Sequence, residues 1–352
     1  MNRRYDEINA IYELVNNNCN LNKFKNKSFF ITGSTGIIGS AIVETLCKFN
    51  EEYKLNIKIL LLVRDLKKAK IRLGKSNVLN FILGSVEELP KIDMKLDYII
   101  HAASMTSSKS FINKPVEVIN TAIKGTMNIL ELAKEKKIDS MIYLSTMEIY
   151  GAPDTDIKIT EDSGNNINTT DIRSCYPESK RMCENLCCAY KSEFDVPVKI
   201  ARLTQTFGPG VSYNDERVFA EFARCVLAQE DIILRTKGDT RRSYLYVYDA
   251  VSAILLLLLK GKNGESYNVA NEETYCSIKE MAQLVSNLFV EGKIRVIHEI
   301  DENIYERGYA PTLHMNLDTS KLKLLGWKAT VDLKGMMCAL IDDWKNMKLN
   351  IN

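Results

Sequence analysis

Histidine is scarce, with three residues (His101, His298, His314) scattered through 352. That leaves no histidine-built metal centre, and none is expected. The nine cysteines are odd in number and show no C-x-x-C spacing. Cys183, Cys187 and Cys188 fall on one expected helix and read as small apolar packing residues. A reducing cytoplasm fits this usage. No apolar leader stands at the N-terminus, and the longest apolar run, Ile254–Leu259, is far too short to span a bilayer. Excess charge is lacking too: net charge is +2, so neither a nucleic-acid footprint nor a membrane partner is expected.

What is present begins at Lys27–Thr45, KSFFITGSTGIIGSAIVET. The apolar run Phe29–Thr32 reads as a buried strand, followed by Gly33, Gly36 and Gly39 and then apolar residues at helical spacing (Ile38, Ile42, Leu46). Gly33 permits a tight turn, Gly36 lets backbone approach a pyrophosphate, and Gly39 lets helix pack on sheet. The helix N-terminus offers unpaired N–H groups to phosphate. In this strand–turn–helix context the triplet predicts a dinucleotide site.

The chain then alternates strand and helix. Strands are expected at Phe29–Thr32, Lys58–Val63, Val78–Leu83, Tyr98–His101, Met141–Ser145 and Val198–Leu203, and helices include Val118–Lys136 and Tyr176–Glu193. This predicts an α/β fold, a Rossmann-type doubly wound parallel sheet with a smaller C-terminal α/β substrate lobe. The expected division is a helical extension over 1–25, a dinucleotide-binding domain over 26–208 and a substrate lobe over 209–352 interleaved with the last strands. In the extension, Tyr5, Ile8, Tyr12 and Val15 recur at helical steps, and Asn16–Asn20 reads as a linker. Beyond Gly208-Pro209-Gly210 a helical stretch to about Arg235 and a strand at Ser243–Tyr248 are expected. The two long helices could also join two copies into a homodimer.

Tyr176 and Lys180 stand four apart in Tyr176-Pro177-Glu178-Ser179-Lys180, on one helical face. A neighbouring ammonium favours phenolate and brings a tyrosine toward use as a base. Thr146 follows an expected strand end, where its hydroxyl can align a reacting alcohol, and Glu148 stands nearby as an acid or base.

The glycine loop, Thr146, Tyr176 and Lys180 together resemble the extended short-chain dehydrogenase/reductase family, in its nucleotide-sugar epimerase/dehydratase branch. The resemblance covers roughly Asn26 to Trp327 and includes Asp97–Ala103 (DYIIHAA), Asn120-Thr121 and Phe207-Gly208-Pro209. It implies an NAD(P)-dependent enzyme that oxidises a sugar at C4, with Tyr176 as base, Lys180 on the ribose and Thr146 on the C4 oxygen. It places Thr35, Ile37, Ile38, Val86, Ala102, Ala103, Thr121 and Ser145 on the cofactor beside the three glycines. Ser104, Thr106, Gln205, Arg217, Arg242 and His314 fall on the substrate.

Departures from the family pattern narrow the chemistry. Met147 stands where 4,6-dehydratases carry an Asp, whereas Glu148 and Lys180-Arg181 look closer to the UDP-glucuronate decarboxylases. Gln205 replaces an Asn, His314 a phosphate-binding Arg, and Ser85 the Asp that commonly contacts adenine. Arg64 could pair a 2′-phosphate and favour NADP, while Asp65 could accept from a 2′-hydroxyl and favour NAD. Relatives that recycle their cofactor tip the expectation to NAD. The leading expectation is a decarboxylase or 4-epimerase; a 4,6-dehydratase, an NADPH-dependent 4-ketosugar reductase and a non-catalytic dinucleotide-binding protein are the alternatives.

Overall fold

A computed structural model describes residues 3–74, 76–164, 166–289, 294–300 and 312–349. The chain begins α1 (Arg3–Asn18), β1 (Ser28–Thr32), α2 (Ile37–Tyr53), β2 (Lys58–Val63), α3 (Leu66–Leu73), β3 (Leu79–Leu83) and β4 (Tyr98–His101). It continues through α4 (Ser108–Asn113), α5 (Pro115–Lys136), β5 (Ser140–Thr146), α6 (Cys175–Phe194) and β6 (Val198–Leu203). Next come β7 (Gln205–Phe207), α7 (Val218–Ala228), β8 (Ile232–Leu234), β9 (Arg241–Tyr246), α8 (Val247–Lys260) and β10 (Ser266–Val269). Then follow β11 (Asn271–Ser277), α9 (Ile278–Phe289), β12 (Val296–His298), β13 (His314–Met315), α10 (Ser320–Lys323) and α11 (Leu333–Leu349).

Seven parallel strands form the main sheet in the order β10-β6-β5-β4-β1-β2-β3. β1 is buried at all five positions, the mark of a strand covered by helices on both faces. The strand order reverses between β1 and β4, which opens a crevice outside their carboxyl ends, where such sheets bind ligands. A second sheet, β11-β9-β13 with β7 against β9, stands off the end of β6. Thr204 joins the two sheets: its N–H donates to Val269 O and its hydroxyl to Ser243 O at 2.6 Å.

The extension is part of this body. Ile8, Ile11 and Val15 of α1 are buried, α1 packs on α8, and Tyr246 donates its hydroxyl to Glu7 at 2.7 Å. The side chain of Tyr5 lies outside the described residues. The asparagine run is not a free linker. Helix α1 continues to Asn18, whose amide donates to Leu14 O, and Asn20 caps the short helical turn Leu21–Phe24.

Two expectations further along need correction. The helical stretch before Arg235 spans only α7, because Gln229 turns left-handed (φ +57°) and the chain then enters β8. Strand β9 begins at Arg241 and yields to α8 at Val247, whose buried run belongs to a helix that is covered on every side. Residues 301–311, inside the mixed segment before Trp327, lie outside the described residues.

If α1 is structural, Ile11→Ala should lower unfolding free energy by about 2–4 kcal/mol in a urea titration. Unchanged stability would mean that α1 contributes no packing.

Candidate active site

The glycine turn is built by close approach. Gly33 has φ +67°, and a Cβ there would lie 2.5 Å from the Ala102 carbonyl carbon. A Cβ on Gly39 would fall 2.2 Å from Gly33 O, so the first turn of α2 can seat only on glycine. Gly36 caps α2 with no side chain in the way. Thr35 is exposed, Ile37 and Ile38 are half-buried, and the Ser34 hydroxyl is buried without a partner among the described residues. Ala103 N–H donates to Thr32 Oγ1, which is 2.8 Å from Nδ1 of buried His101, whose pKa burial and then the Lys180 charge push down to about 3. This neutral imidazole fixes the Ala102–Ala103 wall opposite Gly33. The bare cradle, the orphaned hydroxyl and the free N–H groups of α2 fit a dinucleotide pyrophosphate.

Farther along the edge, Arg64 and Asp65 are exposed at the end of β2. Asp65 caps α3, its carboxylate accepting from Lys68 N–H at 2.9 Å. Ser85 accepts from Glu88 N–H, Val86 is buried, and Thr121 donates its hydroxyl to Glu87. Glu87 was not singled out from sequence, though an acid four residues past the end of β3 was the available signal.

At the crevice, Thr146 ends β5 and accepts from Glu148 N–H at 3.3 Å, while Tyr176 occupies the first turn of α6. Tyr176 is buried and stacked on Phe111 with centroids 4.6 Å apart, and its phenol neighbours the Thr146 hydroxyl. Lys180, 3% exposed, donates to Leu144 O at 2.7 Å. Its Nζ lies 4.7 Å from the Tyr143 ring centroid and 5.9 Å from that of Tyr176. Burial pushes this lysine down to about 8, against the opposing pull of Cys183 and Glu184. The expectation that Lys180 brings Tyr176 down is corrected here. Burial, and then Glu148, hold the phenol well above its ordinary value, and only the Thr146 hydroxyl opposes them. The side chain of Glu148 is 31% exposed and lies 3.5 Å from Arg173.

A buried network supports these groups. Ser145 donates to Glu184, which takes a bidentate grip from Arg202 (2.7 Å at Nη2), and Arg202 donates to Tyr150 at 2.8 Å. The Ser145 hydroxyl is therefore engaged behind the strand. Glu184 and Arg202 were missed, although Glu184 repeats the four-residue step beyond Lys180. Met147 is buried against Ile159, Met315 and Leu317, so no carboxylate stands at that position.

Opposite lies the second sheet. Register places Gln205 beside Tyr244 and Met315 beside Arg242 on one face of this sheet, which brings Gln205 and Arg242 to the same side. His314 pairs with Arg241 on the other face, so the expected grouping of His314 with Arg242 is not formed. Gln205 Oε1 and Arg242 Nε are buried without hydrogen-bond partners among the described residues, consistent with groups awaiting a ligand. His314 Nδ1 sits 3.2 Å from Asp156. Arg217 is clamped on Asp215 at 2.7 and 2.9 Å. Ser104 is half-buried and Thr106 exposed in the loop after β4.

This fold and site define a dinucleotide-dependent enzyme class, and comparison gives the family. The chain belongs to the NAD dependent epimerase/dehydratase family, whose family model matches residues 29–270. UDP-glucuronic acid decarboxylase 1 of Xenopus tropicalis is 29% identical over 311 residues, 88% of this chain and 70% of the relative. UDP-N-acetyl-alpha-D-glucosaminuronate decarboxylase of Bacillus cytotoxicus is 29% identical over 303 residues, 84% of this chain and 91% of the relative. The fold is shared with the UDP-glucose 4-epimerase of Thermotoga maritima, solved with UDP-glucose (TM-score 0.76, 20% identity, covering 91% of this chain and 99% of that one).

Lysine 180 gives a signed test. Its ammonium forms less readily in the folded chain than at the ordinary 10.5, so it disfavours folding below about pH 8. That penalty fades as pH rises from about 8 to 10.5. Lys180→Met should therefore stabilise the ligand-free chain at pH 7 by about 1–2 kcal/mol, with the gain shrinking toward pH 10. Calorimetry showing a loss at pH 7 would contradict this environment.

Proposed function

We propose that this protein is an NAD-dependent nucleotide-sugar enzyme that decarboxylates a UDP-linked uronate through a 4-keto intermediate. The observation that carries the reading is the convergence of Thr146, Tyr176 and Lys180 at the crevice with Glu148 beside them. The similar decarboxylases named above are both uronate enzymes, which supports that substrate class.

Gly33, Gly36 and Gly39 would hold the NAD pyrophosphate, with Lys180 on a ribose hydroxyl. NAD bound there supplies oxidation at the sugar C4 and, after CO2 has left, reduction of the same carbon. Tyr176 takes the proton from the C4 hydroxyl, which Thr146 aligns. Because burial and Glu148 favour the neutral phenol, Tyr176 becomes a base only when the filled site brings positive charge beside it. A ketone at C4 is β to the C6 carboxylate. The C5–C6 bond then breaks, its electron pair passes into the C4 enolate, and a proton returns to C5. Glu148 is the group placed to manage that proton or the water that carries it. Elimination of a C6 hydroxyl lacks its acid, since apolar Met147 holds that position.

Arg242 and Gln205, which share a face of the second sheet, are proposed on the nucleotide-diphosphate side, with Arg217 entering after exchange from Asp215. Residues 209–352 would form the substrate lobe, with β10 crossing back into the 26–208 domain and 1–25 as the helical extension. The outer faces of α5 and α6 expose Val116 (68%) and Met182 (50%), and we assign them to a homodimer interface. No helix among the described residues is long and apolar enough to cross a membrane. All nine cysteines are free thiols, which fits the cytoplasm.

Incubation with UDP-glucuronate, followed by mass spectrometry, should give a product lighter by the mass of CO2. Tyr176→Phe should lower kcat by roughly 10²–10⁴. A product of unchanged mass, or full turnover by the variant, would contradict the proposal. On a calibrated sizing column with light scattering, Met182→Glu should convert dimer to monomer; an unchanged mass would place the interface elsewhere.

A further inference from the structure

The adenosine end of the cleft contains a charge arrangement that neither Arg64 nor Asp65 explains alone. Gly84 N–H donates to Val63 O, extending the β2–β3 pairing to the last residue before Arg64. The loop 85–88 therefore leaves the sheet beside Arg64. It is firmly held. Asn128 on α5 donates to both Val86 O (2.8 Å) and Glu87 O (3.0 Å). Val86 packs onto Gly125 of the same helix, where a Cβ would come within 2.6 Å of Val86 Cγ2. The Glu87 carboxylate accepts from buried Thr121, one turn earlier on α5. Burial pushes this carboxyl up, but the Thr121 and Ser85 hydroxyls, the loop backbone and the charge of Arg64 together hold it below its ordinary value. It is an anion at neutral pH.

Dinucleotide folds read the adenosine ribose at the end of their second strand, where Arg64 stands. An arginine there would ordinarily welcome a 2′-phosphate by bidentate pairing. Here the loop beside that arginine carries a carboxylate tied to α5, in the field of the Arg64 charge. The geometry points to Glu87 as the residue that selects NAD over NADP: held on the loop beside Arg64 by Thr121 and Asn128, its carboxylate opposes the charge of Arg64 and repels a 2′-phosphate. The carboxylate is tied to α5 by the Thr121 hydroxyl, which restrains it as a phosphate approaches. The inference rests on the NAD-dependent reading of the site, and it is independent of which sugar is processed.

The full chain is brought to equilibrium with equimolar NAD⁺ and NADP⁺, filtered, and the retained dinucleotides are quantified by mass spectrometry. The parent should retain NAD⁺ predominantly. Glu87→Gln keeps an acceptor for Thr121, and it should raise the NADP⁺/NAD⁺ ratio by about tenfold. Adding Arg64→Ala to Glu87→Gln should abolish that gain, because the cation that receives the phosphate is gone. A thermal melt of each variant confirms a folded protein. A ratio in Glu87→Gln within about twofold of the parent, or a parent that retains NADP⁺, would overturn the assignment. Decarboxylation is not read in this experiment. A failed uronate assay with a shifted ratio therefore leaves Glu87 standing, and the reverse outcome overturns Glu87 alone.

Discussion

The site depends on an ammonium buried where water does not reach it. Lys180 is 3% exposed, and among the described residues the Leu144 carbonyl is its hydrogen-bond partner. Such a group favours loss of its charge unless geometry holds it, and here the geometry is rigid. Leu144 is fixed in β5, paired to Ala201 of β6, and α6 is fixed one turn farther on by the grip of Glu184 on Ser145 and Arg202. The phase of α6 sets both Lys180 and Tyr176. A rotation of that helix would separate the phenol from Thr146 and the ammonium from Leu144 together.

The same constraint explains why the chain holds its tyrosine protonated when alone. With the Lys180 ammonium turned to Leu144 O, burial and then the Glu148 charge govern the phenol. Across the crevice the substrate side shows the complementary condition. Arg242 Nε and Gln205 Oε1 are buried without partners among the described residues, which is unfavourable unless a ligand completes them.

The strands of the main sheet were legible because parallel strands buried on both faces are nearly continuous apolar runs. Lys58–Val63, Tyr98–His101 and Val198–Leu203 carry their boundaries in that pattern. The second sheet was harder. β7 and β13 are three and two residues long, held by register against β9, and strands so short leave no periodicity to read. The glycine turn and the Tyr176–Lys180 step were readable as spacing. Their electrostatics were not, since burial of Lys180 and the approach of Glu148 to Tyr176 arise only when α6 closes on β5. Glu87, Glu184 and Arg202 escaped for a related reason: each acts through a partner far away in sequence, Thr121, Ser145 and Glu184 respectively.

The central claim is that one resident NAD is used and regenerated within the crevice. It is tested most directly by counting turnovers of a UDP-uronate by chromatographically purified protein with no dinucleotide added. Many cycles per bound NAD, with the NAD recovered unchanged after denaturation, is the expected result. Consumption that stops at one equivalent of bound cofactor, or that requires a continuous supply of reduced nicotinamide, would contradict it.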